Sequence, residues 1–333
     1  MKGTSIMEKI RWGILGTGSI AATFAKALNS LDDCILAAVA SRSDVRAQEF
    51  ANRFNINKYY GDYNKLAEDP DIDVIYIAVP HTGHKETTEM CIKNGKAVLC
   101  EKPFTINSRD TEKLISLAKE YNVFLMEAMW TKFLPASIKV KKWIKEGRIG
   151  KVRHIKASFG FYSEYDPDSR LYNPSLGGGA LLDLGIYPIT YTTFFLDSMP
   201  DKVISSAIIG ESKVDEQNVI ILQYGNGVLA DLSSGISAEL GYDAVIAGEK
   251  GVIKVNKFWM ADSAILYDNK HNIIDEFNEP FKTNGYEYEA KEVNRCLREG
   301  LLESPQNPLK DTLDIMKIMD RIRSSWGLVY PGE

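Results

Sequence analysis

From Ile10 to about Ala128, short runs of apolar, β-prone residues alternate with stretches whose apolar positions recur every three or four residues. The runs fall at 12–15, 35–40, 74–79, 97–100 and 123–126. They are continuous rather than alternating, as expected of strands covered by helices on both faces, and they predict a doubly wound parallel sheet. Past Leu134-Pro135 a helix is expected through Glu146, after which the texture changes. Longer strand-like segments follow at 152–162, 202–209, 218–224, 228–234, 244–247, 252–255 and 264–267, joined in places by short turns such as Gly225-Asn226-Gly227. Two late helices are expected, at 286–298 and 309–326. The pattern predicts an α/β chain: a Rossmann domain over 8–128, then an α+β domain over 129–333 on a large, mostly antiparallel open sheet. No internal repeat or low-complexity linker is visible.

Charge narrows the function classes. A net charge of −5 gives no basic footprint for nucleic acid. The densest cationic stretch, 139–153, is interleaved with Val140, Trp143 and Ile144 and reads as the solvated face of an amphipathic helix. No run approaches the roughly 20 apolar residues of a membrane span, and the start has no apolar core of signal-peptide length. Met7 is expected as an alternative start, leaving the first six residues as an extension. Cys34, Cys91, Cys100 and Cys296 follow no disulfide or metal spacing; reduced core thiols in a cytoplasmic protein are expected.

The first strand runs into Gly16-Thr17-Gly18-Ser19-Ile20-Ala21 and then a helix. Gly16 permits a tight turn, Gly18 lets backbone approach a pyrophosphate, and small Ala21 allows close helix packing, with the helix N-terminus facing the anion. An NAD site usually carries an acid at the end of the second strand to bind the ribose 2′-hydroxyl. Here that strand ends in Ser41-Arg42, with Arg46 one turn later, so a 2′-phosphate is favoured. NADP is the expected cofactor, with NAD as the alternative.

The run 74–79 leads to Pro80-His81-Thr82-Gly83-His84, and 97–100 leads to Glu101-Lys102-Pro103. A charged side chain leaving the carboxyl end of such a strand faces cofactor or substrate. With its Glu-Lys-Pro after the strand, the chain resembles the glucose-fructose oxidoreductase, inositol dehydrogenase and MocA superfamily. The stretches 124–135 and 176–187 narrow the resemblance to the dihydrodiol dehydrogenase branch, which also acts as an NADP-dependent D-xylose dehydrogenase. The resemblance implies a nicotinamide-dependent oxidoreductase of a cyclic polyol, sugar or dihydrodiol. It also implies cofactor contacts at Pro80, His81, Glu101 and Lys102, His84 near the nicotinamide, and a homodimer formed through the open sheet face. Trp130 is either a pocket-lining or a core aromatic.

Gly179, Asp183 and Tyr187 recur every fourth residue and would share one helical face, the glycine leaving room for a ligand. Oxidising a secondary alcohol needs a base and something to stabilise the developing alkoxide. A free tyrosine, with a pKa about 10, stays protonated at neutral pH, but an ammonium about 4 Å away at an effective dielectric of about 20 supplies roughly 4 kcal/mol, or about 3 units. Lys102 is therefore expected to activate Tyr187, while Asp183 orients the lysine or substrate hydroxyls. Many superfamily members carry histidine where this chain has Tyr187, so the proximate base stays open between Tyr187 and Lys102. Lys132 stands where relatives often have arginine and is assigned no role. Because Lys102 and the Asp183–Tyr187 pair fall in different predicted domains, the site is expected to draw on both.

His81 and His84 form an H-x-x-H pair, but His154 and His271 are the only other histidines and no Cys or carboxylate cluster completes a tetrahedral set; no metal is expected. A competing reading is a regulatory or sensor protein that binds NADP without turnover, against which Lys102, Asp183 and Tyr187 weigh.

Overall fold

The computed structural model describes residues 8–333; Met7 lies outside them. Six strands, β1 (Ile10–Leu15), β2 (Cys34–Ala40), β3 (Lys58–Tyr60), β4 (Val74–Ile77), β5 (Ala97–Glu101) and β6 (Leu125–Ala128), form a parallel sheet in the order β3-β2-β1-β4-β5-β6. Nine helices accompany the strands among the described residues: α1 (Ser19–Asn29), α2 (Asp44–Phe54), α3 (Tyr63–Glu68), α4 (His84–Lys93), α5 (Ser108–Tyr121), α6 (Pro135–Lys145), α7 (Ile186–Leu196), α8 (Tyr286–Arg298) and α9 (Leu309–Trp326). β4 and β5 are buried along their whole length, which accounts for their unbroken apolar runs. Strand order reverses between β1 and β4, the switch point beside which open α/β sheets bind ligands.

The chain divides into two compact units. The first holds the parallel sheet and also gathers Lys282–Leu309, which a linear cut at 128/129 assigns to the other half. Hydrogen bonds explain that membership. The Trp12 indole donates to Asn294 Oδ1 at 2.9 Å, Asn284 Nδ2 to the Thr23 carbonyl at 2.9 Å, and Asn307 Nδ2 to the Glu127 carbonyl at 2.9 Å. Glu287, one residue into α8, accepts from the backbone N–H groups of Thr283, Asn284 and Gly285 just ahead of the helix.

The second unit is built on nine strands: β7 (Val152–Tyr162), β8 (Lys202–Ile209), β9 (Asp215–Gln223), β10 (Leu229–Gly235), β11 (Ser237–Gly241), β12 (Ala244–Gly248), β13 (Gly251–Val255), β14 (Ser263–Asp268) and β15 (Ile273–Asn278). Their order is β15-β14-β13-β12-β7-β10-β9-β8, with β11 paired to β7. Every pairing is antiparallel except β10 with β7. One face packs under α7, whose residues Ile186 to Phe195 are all buried, as befits a helix apolar on every side. Before α7 the chain makes a π-helical turn, Leu181–Gly185.

Three strands, β3, β11 and β15, lack a signal in the apolar pattern. β3 is three residues long and half-exposed, and β15 is an edge strand with no buried residue. The run expected through Val79 leaves the sheet at Ile77, although the Ala78 N–H still reaches the Leu15 carbonyl at 2.8 Å. Pro80 then opens a 3-10 turn, His81–Gly83.

Candidate active site

In the first unit, β1 ends at Leu15 and Gly16 takes φ +112°, a conformation that glycine adopts readily. A Cβ at Gly16 would overlap the Ala78 carbonyl, so the turn presses against the end of β4. Gly18 caps α1 and has nothing within 4 Å of where its Cβ would be. The first turn of α1 holds no acid and no side chain caps it, and Ser19 is exposed with Ile20 half-exposed. Unsatisfied N–H groups at the positive end of a helix, with backbone open to close approach, are what a pyrophosphate requires. The residues fit a dinucleotide.

Thr17 Oγ1 donates to Ser41 Oγ at 3.4 Å, bringing the glycine turn and the end of β2 together. Arg42 and Arg46 are exposed just beyond, and Ser43 caps α2 by accepting from the Arg46 N–H. Burial raises the Tyr63 hydroxyl pKa, while the Arg42 guanidinium beside it acts in the opposite direction. Asp44 is the one acid in the first turn of α2, and its carboxylate lies against Gly61, where a Cβ would strike it.

Lys102 is half-buried and follows directly on β5, and its peptide bond to Pro103 is cis. Two expected cofactor neighbours lie inside the wall of this turn. Glu101 is buried and accepts from the Tyr76 hydroxyl and, at 3.2 Å, from the Lys102 N–H. Glu289 of α8 is fully buried nearby; burial foremost, then the Glu101 charge, raises its pKa well above the usual carboxyl range. His84, expected beside the nicotinamide, is fully enclosed instead. Its Nδ1 lies 2.8 Å from the Pro103 carbonyl and its Nε2 3.0 Å from the Val79 carbonyl, so the ring ties the end of β4 to the Lys102 turn. Burial pushes its pKa down to about 4, against the two carbonyls, which favour the protonated ring. His81 stands edge-on to it at 5.7 Å between ring centroids, and Pro80 is exposed at the start of the same turn. Trp130, also buried, stacks on Tyr286 at 4.2 Å and 10°, a partner 156 residues away that no local pattern announces.

In the second unit, Asp183 sits within the π-helical turn, buried, with Oδ2 2.8 Å from Arg170 Nη1. Tyr187 is buried one turn later, its ring 5.5 Å from that of Phe159. Phe159 in turn stacks on half-exposed Trp259 at 4.1 Å. Arg170 and Phe159, which meet Asp183 and Tyr187, and Trp259, which stacks on Phe159, went unseen in the sequence because these are tertiary contacts. Gly179 corrects an expectation: it precedes the turn with φ +110°, and its missing Cβ would lie 2.5 Å from Asp215 Oδ1 and 3.1 Å from the Tyr330 hydroxyl. Packing, rather than room for a ligand, requires glycine there. Lys132 is buried, 3.3 Å from Asp311, a structural ion pair. All four cysteines are free and buried. Among the described residues no group of three or more His, Cys, Asp or Glu is placed to hold a metal ion, and no helix is long and apolar enough to cross a membrane.

Residues 10–129 match the oxidoreductase family with an NAD-binding Rossmann fold, and residues 137–254 match the GFO/IDH/MocA C-terminal domain. Trans-1,2-dihydrobenzene-1,2-diol dehydrogenase of Xenopus laevis is 40% identical over 329 residues, covering 96% of this chain and 99% of that protein. The Mus musculus enzyme of the same name is 36% identical, covering 97% and 98%. Among solved structures, a 3-ketoreductase from Actinomadura kijaniata in complex with NADP and TDP-benzene superposes with a TM-score of 0.84 at 26% identity, over 95% of this chain and 98% of that one. An aldose-aldose oxidoreductase from Caulobacter crescentus shares the fold, with a TM-score of 0.87 at 22% identity over 96% and 97%. The glycine cradle at the head of α1, the Glu-Lys-Pro turn after β5 and this agreement over nearly the whole chain converge: the chain belongs to the GFO/IDH/MocA oxidoreductase family, in its dihydrodiol dehydrogenase branch, and is an NAD(P)-dependent oxidoreductase.

Proposed function

We propose that the protein is an NADP-dependent dehydrogenase that interconverts a secondary alcohol of a cyclic polyol, sugar or trans-dihydrodiol with the corresponding carbonyl or lactone. The observation that carries this reading is Lys102, one residue past the end of β5 on the same carboxyl edge of the parallel sheet as the Gly16 turn. The names of relatives 36–40% identical over nearly the whole chain support the substrate class. Exposed Arg42 and Arg46, beside a β2 that ends without an acid, support the 2′-phosphate.

When bound, the nicotinamide supplies the hydride acceptor. The chain's own residues do the rest. The uncapped start of α1 and the open backbone at Gly18 hold the pyrophosphate. The hydroxyl proton goes to a single general base, Tyr187 or Lys102. Asp183, steadied by Arg170, orients substrate hydroxyls. Trp259, stacked on Phe159, offers an apolar face for a ring. The working form is a homodimer joined through the open face of the second unit's sheet, where Ile204, Ile208, Val219 and Ile221 are exposed.

The test follows reduced-nicotinamide absorbance while purified protein meets NADP or NAD with a panel of pentoses, hexoses, inositols and dihydrodiols. Turnover with NADP is expected, falling about 100-fold or more in Lys102→Met while NADPH affinity persists. Arg42→Ala should erode the preference for NADP. NADPH binding without turnover on any substrate would instead favour a sensor, and turnover unaltered by Lys102→Met would remove the lysine from the mechanism.

A further inference from the structure

Beneath the segment that carries Asp183 and Tyr187 runs a chain of buried polar groups. Asp215, the first residue of β9, is fully enclosed. Its Oδ2 accepts two hydrogen bonds, from the Leu181 N–H at 2.8 Å and from Asn218 Nδ2 at 2.8 Å. Asn218 Oδ1 accepts from the Ser234 hydroxyl at 2.9 Å, across the β9–β10 pair in which these two residues stand opposite each other. The chain touches both ends of the turn. Asp215 Oδ1 lies 2.5 Å from where a Gly179 Cβ would be, and Ser234 Oγ lies 2.8 Å from where a Gly185 Cβ would be. Both glycines thus let the segment settle onto the polar chain, with Asp183 between them. Leu181 opens the helical turn, so its N–H lacks a partner within the helix and needs one from outside. Asp215 supplies it.

We propose that Asp215 is a positioning residue for the reaction: by fixing the Leu181 N–H it sets the register of the π-helical turn, and with it Asp183 and, one turn on, Tyr187. Asn218 and Ser234 hold the carboxylate in place from behind. This rests on the functional reading above, which gives Asp183 and Tyr187 their work on the substrate. A displaced turn misaligns Asp183 and Tyr187, the groups that meet the substrate, whereas the dinucleotide cradle is built from first-unit residues. An ångström of misplacement costs on the order of 100-fold in rate.

The full-length protein is compared with Asp215→Ala, Asp215→Asn and Ser234→Ala, measuring kcat and KM for whichever hydroxyl substrate the wild type turns over, and the NADPH Kd by fluorescence. Asp215→Ala should lower kcat by about tenfold to 100-fold with NADPH affinity within about twofold. Asp215→Asn should recover most of kcat, because one amide oxygen can accept both hydrogen bonds as Oδ2 does. Ser234→Ala, which removes only the far support, should lower kcat less, and serves as the test should Asp215→Ala not fold. The proposal is overturned if Asp215→Ala keeps its kcat, if Asp215→Asn is as impaired as Asp215→Ala, or, where only Ser234→Ala folds, if that variant matches wild type. A wild type without turnover sinks the functional reading and this proposal with it; an active wild type with an indifferent Asp215→Ala sinks the proposal alone.

Discussion

His84 and Asp215 are both fully enclosed, and burial moves them in opposite directions on the pH scale. Burial holds the His84 imidazole at about 4, below its ordinary 6.5, and the chain loses stability when the unfolded state can take a proton that the folded state refuses. That loss develops as pH falls from about 6.5 to about 4 and amounts at full extent to roughly 3 kcal/mol. Burial raises Asp215 from 3.8 to about 7, opposed by Asn218, the Leu181 N–H and the more distant Arg323 charge. Here the folded state keeps the extra proton, so stability declines as pH rises from about 4 to about 7, by up to roughly 4 kcal/mol. The two slopes oppose each other over most of the window, and the wild-type curve alone conceals both. Urea unfolding of wild type against Asp215→Asn and His84→Asn at a series of pH values separates them. Relative to Asp215→Asn, wild type should weaken as pH rises; relative to His84→Asn, it should weaken as pH falls. A difference that stays constant across the window for either pair would remove that residue from the account.

At the scale of elements, the π-helical turn makes the sharpest demand on sequence. Gly179 sits at φ +110°, with Asp215 Oδ1 and the Tyr330 hydroxyl closing in on the space a Cβ would fill. Gly179→Ala should therefore destabilise the chain by at least about 2 kcal/mol in equilibrium unfolding, since the left-handed region and the overlap act together. If the glycine merely cleared room for a ligand, the same variant would raise the substrate KM and leave the unfolding curve where it was. The four-residue spacing of Gly179, Asp183 and Tyr187 was legible in the sequence, as were the Gly16–Gly18–Ala21 turn and the limits of α8 and α9, because each is a short-range pattern. What faces those residues was not. Asp215 lies 36 positions beyond Gly179, and Trp12 meets Asn294 across 282 positions of chain. Periodicity reports which side of an element is buried and is silent on its partner. For the same reason the parallel pairing of β10 with β7, the membership of Lys282–Leu309 in the first unit, and the inward turn of His84 and Glu101 emerge only from the fold.

For the whole molecule, the open face of the second unit's sheet is where assembly should be decided. Strand register sorts its residues: Ile204 stands opposite Ile221 and Ser206 opposite Val219 on β8 and β9, while Leu229 and Asp231 continue the same face onto β10 toward His154 and Lys156 of β7. The opposite face carries Ile220, Leu222, Ala230 and Leu232, all buried. Ile208 at 64% exposed and Val219 and Ile204 at 48% leave the β8–β9 end of the open face apolar and uncovered. Eight strands at about 4.8 Å spacing, each about 23 Å long, present roughly 900 Å², close to the roughly 800 Å² per partner of a stable interface. A charged side chain in the apolar part of such a face would be buried unpaired in a dimer and solvated in a monomer, so it discriminates between the two states. Sedimentation equilibrium of the full-length protein should give a dimer, and Ile221→Lys should shift it to monomer with NADPH affinity and secondary structure retained. A monomeric wild type at micromolar concentration, or an Ile221→Lys variant as dimeric as its parent, would move the contact elsewhere or abolish it.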